Sequence, residues 1–515
     1  MAAMNPTAPL DADALYRALS ARDARFDGRF FTGVTSTGIY CRPICRVRTP
    51  RRDNCLFFEH AAQAEQAGFR PCLRCRPELA PRDRHWSTED AAGILIRQAT
   101  ALLDAPETWG AGDAPALELL AARLGVSDRH IRRLFAQRLG VSPLQYLQTR
   151  RLLAAKQLLA DTDLPVAQVA LSAGFASLRR FNDAFVGRYG LNPTQLRRSR
   201  SPGAGTDART AAEVRLAWRP PYRSDEVLRF FADRALAGLE TVDPPRRTLV
   251  RTLRLSARGA DASGWLQIRF LPDEHRIGLR VSDGLMPMLP GVIDRVRAAL
   301  DLDADPQAID AVLHADFPDG DGMRVPGTFD GFELAVRAVL GQQVTVAAAR
   351  TLCRRLLERF GAPLAGAPAG LMWLFPTPEV LAGAAPEALG ELGIVRQRQQ
   401  AIRALARAVA DGRLVLDGRA DPASTLPQLE ALPGIGPWTA QYIAMRALRW
   451  PDAWPGGDVA LHHALGLRDL SASVARREAE RHARRWQPWR SYAVVRAWAT
   501  PPVFKPSEET PHDPS

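Results

Sequence analysis

Apolar positions along the chain follow two different periods, and each predicts its own kind of element. Around residue 130 they recur at helical spacing: Ile131, Leu134 and Phe135 make one face, while Arg129, Arg132 and Arg133 project elsewhere. Fifty residues on, Phe181, Ala184 and Phe185 repeat that face opposite Arg179 and Arg180. The repeat extends to the punctuation, with Ser127/Ser177, Phe135/Phe185, Gly140/Gly190 and Pro143/Pro193 in register. A Ser placed to cap, an amphipathic helix and a terminating Gly predict two helix-turn-helix units, joined by a helix over Leu147–Leu159. Later the period shortens. TLVRTLRLSA and GWLQIRFLPDEHRIGLRVS alternate apolar and polar residues, which predicts strands of a small mixed sheet ahead of a helical core. In that core, LPGIGPWTAQYIAMRAL (Leu432–Leu448) reads as a Gly-flanked hairpin followed by a helix, with Pro437 suited to the first helical position.

At a soft ~150 residues per domain, 515 residues suggest three or more domains. Pro, Gly and Ser cluster at Ser201–Thr210 and mark a linker, and Pro501–Ser515 has the composition of a disordered tail. Composition is that of a globular protein, 46% apolar and 24% charged, neither fibrous nor disordered overall. The longest apolar stretches, such as Ala401–Ala410 and Val344–Ala349, fall well short of the ~18 residues of a membrane span. The first residues lack the basic start and apolar core of a secretory signal, so a cytoplasmic protein without membrane contact is expected. Charge is distributed unevenly. Residues 121–200 hold 14 Lys and Arg against 4 Asp and Glu, a net +10 of the chain's +12. Such a stripe is the electrostatic footprint of nucleic-acid binding, because each neutralised phosphate releases counterions.

Four of the six cysteines form Cys41-x3-Cys45 and, 26 residues later, Cys72-x2-Cys75. Two close pairs separated by a loop can bring four thiolates to the corners of one tetrahedral zinc, and a reducing cytoplasm disfavours disulfides. Cys55 and Cys353, in apolar surroundings, read as ordinary buried thiols. The stretches FFTGVTSTGIYCRPICRVR (Phe30–Arg48) and AGFRPCLRCRPE (Ala67–Glu78) closely resemble the N-terminal zinc domain of the Ada family of alkylation-response proteins. The resemblance implies that Cys41, Cys45, Cys72 and Cys75 hold one zinc ion, that Cys41 accepts a methyl group from a DNA methylphosphotriester, and that Arg48 faces the DNA backbone. Four thiolates on a divalent ion give a formal −2, and methylating one gives −1. The product would therefore bind DNA more tightly.

The duplicated helical unit, ending in a SAGFxSxxxFxxxFxxxxGxxP pattern, resembles the AraC/XylS family of DNA-binding domains. That resemblance implies that each second helix enters a major groove and places Arg129, Arg132, Arg133, Arg179 and Arg180 near bases or phosphates.

The back half carries a different chemistry. Gly434 and Gly436 let backbone amides approach a phosphate, Trp438 and Tyr442 lie one turn apart, and Asp458 follows in WPGGDVAL. Together with LAWRPPYRSDEVLRFFADRALAGLETV, FELAVRAVLGQQVTVAAAR, LFPTP and WQPWRSYAVVRAW, these stretches resemble the AlkA family of 3-methyladenine DNA glycosylases. The resemblance implies that Asp458 is the catalytic aspartate, that Trp438, Tyr442 and Trp498 line the base pocket, and that Gln343 stands where the family inserts a wedge residue, usually leucine. A cationic alkylated purine would stack on those rings once flipped from the duplex. No lysine lies near Asp458, which argues for simple hydrolysis over a Schiff-base lyase. His462 and His463 lack partners at ligand spacing.

The expected architecture is multidomain and mainly α with small α+β parts. Residues 1–84 form the zinc methyl-acceptor α/β domain, 85–200 the AraC-type double helix-turn-helix and 201–212 the linker. Residues 213–300 form the AlkA-like mixed sheet domain, 301–500 the helix-hairpin-helix glycosylase core and 501–515 the tail. The expected function is a DNA glycosylase for alkylated bases fused to a methylphosphotriester-sensing transcription activator. Its partners would be double-stranded alkylated DNA, promoter DNA and RNA polymerase. The alternative is a transcription regulator whose glycosylase half is inactive and only grips DNA. A P-C-H-R methylguanine-acceptor motif occurs nowhere in the chain.

Overall fold

The computed structural model describes residues 12–23, 26–80, 91–106, 109, 114–162, 164–198, 213–257 and 260–499. The expected linker and tail lie outside the described residues. By their contacts the residues form two compact units: 1–217 with 249–297 and 364–369, and 218–248 with 298–363 and 370–515.

The first unit begins with a four-stranded sheet ordered Cys55–Phe58, Phe31–Val34, Ile39–Cys41, Arg70–Pro71. Phe31–Val34 and Ile39–Cys41 form an antiparallel hairpin that pairs Thr32 with Cys41, and Gly38 turns it at a φ of 65°. Ile39–Cys41 then pairs in parallel with Arg70–Pro71. This topology sets Cys41 and Cys72 at the ends of neighbouring strands, where the Cys72 amide donates to the Tyr40 carbonyl at 2.9 Å. Phe31 and Tyr40 meet edge to face with centroids 5.7 Å apart, and Leu153 of a later helix joins their cluster.

The helix-turn-helix repeat is present as the sequence predicts. Ser127 caps Asp128–Leu139 and Ser177 caps Leu178–Tyr189, each through its hydroxyl. Both helices stop at a left-handed glycine, Gly140 at φ 66° and Gly190 at φ 67°. Ile131, Leu134 and Phe135 are buried, as are Phe181 and Phe185. Ala184 is only half-buried, and Tyr189 completes that face instead. The connecting helix runs Pro143–Asp161, longer at both ends than the apolar pattern predicts. Its start is fixed by Pro143 and a Ser142/Gln145 capping box, signals that lie outside the apolar period. Strands Val214–Ala217, Thr248–Ala257, Ala260–Leu271 and Arg276–Val281 confirm the alternating segments. Val214–Ala217 and Ala260–Leu271 both pair antiparallel with Arg276–Val281.

The second unit is helical around two apolar clusters. One is built on Gly331–Leu340, Val346–Phe360 and Arg396–Ala410, the other on residues from Ile309 to Ala497. The hairpin turns at Gly434, φ 77°, where an added Cβ would meet the Ala401 Cβ at 3.0 Å. Pro437 opens the helix Pro437–Arg446 as expected. Asp458 is itself the cap of a short helix, Val459–Ala464.

Candidate functional site

Cys41, Cys45, Cys72 and Cys75 place their sulfur atoms within 4.8 Å of one another. Thiolates bound to zinc at ~2.3 Å stand about 3.8 Å apart at tetrahedral corners, and Cys45 and Cys72 are already at 4.0 Å. The first three are buried and Cys75 is half-buried, so the donor set fits one ion in a closed site. Cys55 and Cys353 are buried thiols outside it, as the sequence suggests. The spacing gives no hint of Arg42. Its amide donates to Cys75 Sγ at 3.3 Å, its guanidinium to the Cys75 carbonyl at 3.0 Å and, through Nε, to Asp27 at 2.7 Å. One arginine thus ties the first ligand turn to the second. Arg48 is exposed.

The metal centre is anchored to the helix-turn-helix pair by buried charge. Arg76, directly after Cys75, adopts a left-handed φ of 53° and donates to Asp161 at 2.8 Å and to Glu78 at 3.0 Å. Lys156 also pairs with Glu78. Glu65 accepts from Tyr40 at 2.9 Å and from Thr149 at 3.1 Å, with Arg188 Nε at 3.3 Å. Burial pushes the Glu65 carboxyl up to about 7 against the pull of Arg188. By contrast Arg129, Arg132, Arg133, Arg179 and Arg180 are exposed on their helices. Arg132 meets Asp128 at 3.4 Å and Arg133 meets His130 at 3.1 Å, pairs of small energetic weight at such exposure.

In the second unit the structure brings together Trp438, Tyr442, Asp458 and Trp498. Asp458 is half-buried and accepts three hydrogen bonds. Trp438 Nε1 donates to Oδ2 at 3.0 Å, and Trp498 Nε1 and the Leu461 amide donate to Oδ1 at 3.1 and 2.8 Å. Of about four acceptor positions on a carboxylate, three are filled and one, on Oδ2, has no partner among the described residues. The Trp438 and Tyr442 rings stack at 5.4 Å and 14°, with Trp498 tilted 6.4 Å from Tyr442. Sequence reasoning assigns these indoles to the pocket wall. It does not foresee that two of them clamp the carboxylate. Arg446 was also invisible in the sequence: it donates to Tyr442 Oη at 2.7 Å.

Gln343 is exposed at a left-handed φ of 53°, between Gly331–Leu340 and Val346–Phe360. Its neighbour Gln342 donates to the Gly434 carbonyl and to Thr439 Oγ1, both at 2.9 Å, which pins this loop to the hairpin. Gly436 is exposed at the start of the hairpin helix. His462 contacts the Gly456 carbonyl at 2.7 Å and His463 is exposed, in keeping with their lack of ligand spacing.

A four-thiol metal centre, paired helix-turn-helix units and a clamped carboxylate behind a helix-hairpin-helix define a DNA-binding regulator joined to a base-excision fold. Four family descriptions match in the same order. These are the metal binding domain of Ada (residues 14–78), a helix-turn-helix domain (120–199), the AlkA N-terminal domain (213–330) and the helix-hairpin-helix superfamily of base excision DNA repair proteins (336–488). The chain is 39% identical over 501 residues to a probable bifunctional transcriptional activator/DNA repair enzyme AlkA of Mycobacterium tuberculosis, covering 95% of this chain and 96% of that one. It is 34% identical over 288 residues to DNA-3-methyladenine glycosylase 2 of Escherichia coli, covering 55% of this chain and 96% of that one. It is 36% identical over 164 residues to the Escherichia coli bifunctional transcriptional activator/DNA repair enzyme Ada, covering 32% and 42%. The chain belongs to the AlkA family of bifunctional transcriptional activator/DNA repair enzymes. It is a DNA-binding DNA glycosylase of the helix-hairpin-helix class that carries an Ada-type site for one zinc with cysteine ligands. No helix among the described residues is long and apolar enough to cross a membrane.

Proposed function

We propose that the protein excises alkylated bases such as 3-methyladenine from DNA with Asp458 as catalytic residue, and that its first unit senses methylphosphotriesters through Cys41. The observation that carries the first part is the Asp458 carboxylate, held by two indole N–H groups beside the Trp438–Tyr442 stack. A flipped cationic purine stacks on Trp438, Tyr442 and Trp498. The open acceptor position of Asp458 faces the positive charge that develops on the sugar and orients the attacking water. Gln343, projected by the pinned loop, fills the gap left in the duplex, while Gly434 and Gly436 bring backbone amides to a phosphate.

In the first unit, zinc when bound keeps the cysteines as thiolates at neutral pH. Cys41 Sγ bonds the methyl carbon as the triester C–O bond breaks, and the phosphate oxygen leaves with the electron pair as a diester. Arg48 steadies the DNA backbone. The modified protein then grips promoter DNA through Arg129, Arg132, Arg133, Arg179 and Arg180, and recruits RNA polymerase in the cytoplasm. The domain limits expected from the sequence, at 84, 200, 212, 300 and 500, serve as the division of labour.

Two measurements test this reading on the intact protein. Release of free base from methylated DNA is expected from wild type and not from Asp458→Asn; equal release from both overturns the assignment of Asp458, and none from wild type leaves a regulator that only grips DNA. Mass spectrometry after incubation with methylphosphotriester DNA is expected to find one added methyl on Cys41, and an unmodified Cys41 ends the sensor.

A further inference from the structure

Both recognition helices pack against the four-cysteine domain. For Asp128–Leu139 the contact is an apolar cluster in which Ile131, Leu134, Phe135 and Leu139 join Ala62. For Leu178–Tyr189 it is a polar joint at the last turn. Arg188 Nη1 donates to the Glu65 carbonyl at 2.7 Å, and its Nε lies 3.3 Å from Oε2 of the Glu65 carboxyl group. Arg70, on the strand that leads into Cys72, donates to the Tyr189 carbonyl at 3.4 Å. Glu65 Oε1 accepts from the Tyr40 hydroxyl at 2.9 Å, one residue before Cys41. Thr149 of the connecting helix donates at 3.1 Å to the oxygen that Arg188 faces.

One carboxyl group at 1% exposure is thus shared by three elements: Ile39–Cys41, Pro143–Asp161 and Leu178–Tyr189. Burying a carboxylate is costly unless it is paired and hydrogen-bonded. Arg188 is the cation in contact with it, while Lys156 is taken up by Glu78. A group in that position does more than fill space, because every bond it accepts fixes one element against another.

We propose that Glu65 is a positioning residue for DNA recognition: it fixes the last turn of the second recognition helix to the strand that ends in Cys41, so the four-cysteine domain sets that helix through a polar joint. The joint takes up a proton when it closes. Burial pushes Glu65 up to about 7 against the pull of Arg188, Tyr40, Thr149 and Lys156, from an ordinary value of 4.5. The closed joint therefore binds the proton more tightly than the open one. Its contribution is fully present below about pH 4.5 and is lost as pH rises through 7. The groups that face Glu65 do not share this window. Burial pushes the Tyr40 and Tyr189 phenols well above their ordinary value. Burial would raise Glu78 too, yet Lys156 and Arg76 hold it below its own. His60, at the start of the Glu65 helix, is pushed down by burial.

The test is amide hydrogen exchange read by mass spectrometry on the intact protein with zinc bound, with Asp128–Leu139 as the internal reference for Leu178–Tyr189. In wild type the protection factor of Leu178–Tyr189 is expected to fall about 10-fold from pH 6 to pH 8, the ratio set by a group at 7 when closed and 4.5 when open. The reference is expected to change less than about 2-fold, since its contact carries no such proton. Glu65→Gln keeps the shape without the titration and is expected to abolish the fall. No fall in wild type, a fall shared equally by both helices, or a fall that Glu65→Gln retains overturns the proposal. Arg188→Met keeps the stem and removes both ties to Glu65. At pH 6 it is expected to lower the protection of Leu178–Tyr189 about 10-fold and leave the reference unchanged. Protection equal to wild type overturns the joint, as does a parallel drop in both helices.

Discussion

The four-cysteine site and the Asp458 site we propose as the base pocket are built in opposite ways. The four cysteines lie within 35 residues, on two strand ends and the turns that follow, and Arg42 laces the two turns together. Asp458 is held by Trp438, Leu461 and Trp498, and Arg446, packed on the Phe230 ring, holds the Tyr442 hydroxyl of the same aromatic stack. The first site closes around an ion that stabilises it. The second holds its carboxyl group, among the described residues, by three N–H donors. A site made of local spacing can be switched by chemistry at one ligand; a site made of distant elements must be preorganised by the whole fold.

Removing zinc should separate them most sharply. With a strong chelator, the first unit is expected to lose its cooperative unfolding transition in calorimetry while base release by the second persists, because four crowded thiolates repel without a cation. Parallel loss of base release would mean the two sites are not independent. Next in size is Asp458→Asn. An amide cannot accept from all three present donors, and single-turnover base release is expected to fall about 10²- to 10³-fold without loss of helical structure by circular dichroism.

Lys156→Met would leave Glu78 buried with Arg76 as its remaining cation and should destabilise the first unit by about 3 kcal/mol in urea unfolding. Ser127→Ala and Ser177→Ala should each cost about 1 kcal/mol, with similar effects if the two capped helices are true equivalents. A further expected effect is a slope in pH. Glu65 titrates near 7 when folded and near 4.5 when unfolded, so the folded state binds the extra proton in that window. Its contribution is fully present below about pH 4.5 and is lost as pH rises through 7. Glu65→Gln should flatten the fall in melting temperature between those values.

Much of this was legible in the chain. The four-cysteine spacing, the fifty-residue repeat with its Ser and Gly punctuation, and the LPGIGPW hairpin each encode a local geometry, and each folds as read. The connecting helix outran its apolar stripe because its ends are set by Ser142, Pro143 and Thr162, which carry no hydrophobic signal. The partnerships that tune the sites were not legible. Arg42 with Asp27, Arg76 with Asp161, Glu65 with Arg188 and Arg446 with Pro326 join residues 15 to 123 positions apart, and nothing in a run of arginines says which one will be buried. Nor does a Trp at helical spacing announce that its N–H, rather than its face, meets the carboxylate.

Among the described residues Asp458 keeps one vacant acceptor position, and in the proposed reaction that vacancy would set an order of events. Trp438, Trp498 and Leu461 occupy its other positions. In the reaction we propose, the sugar and then the water would use that same position, with bond breaking ahead of bond making.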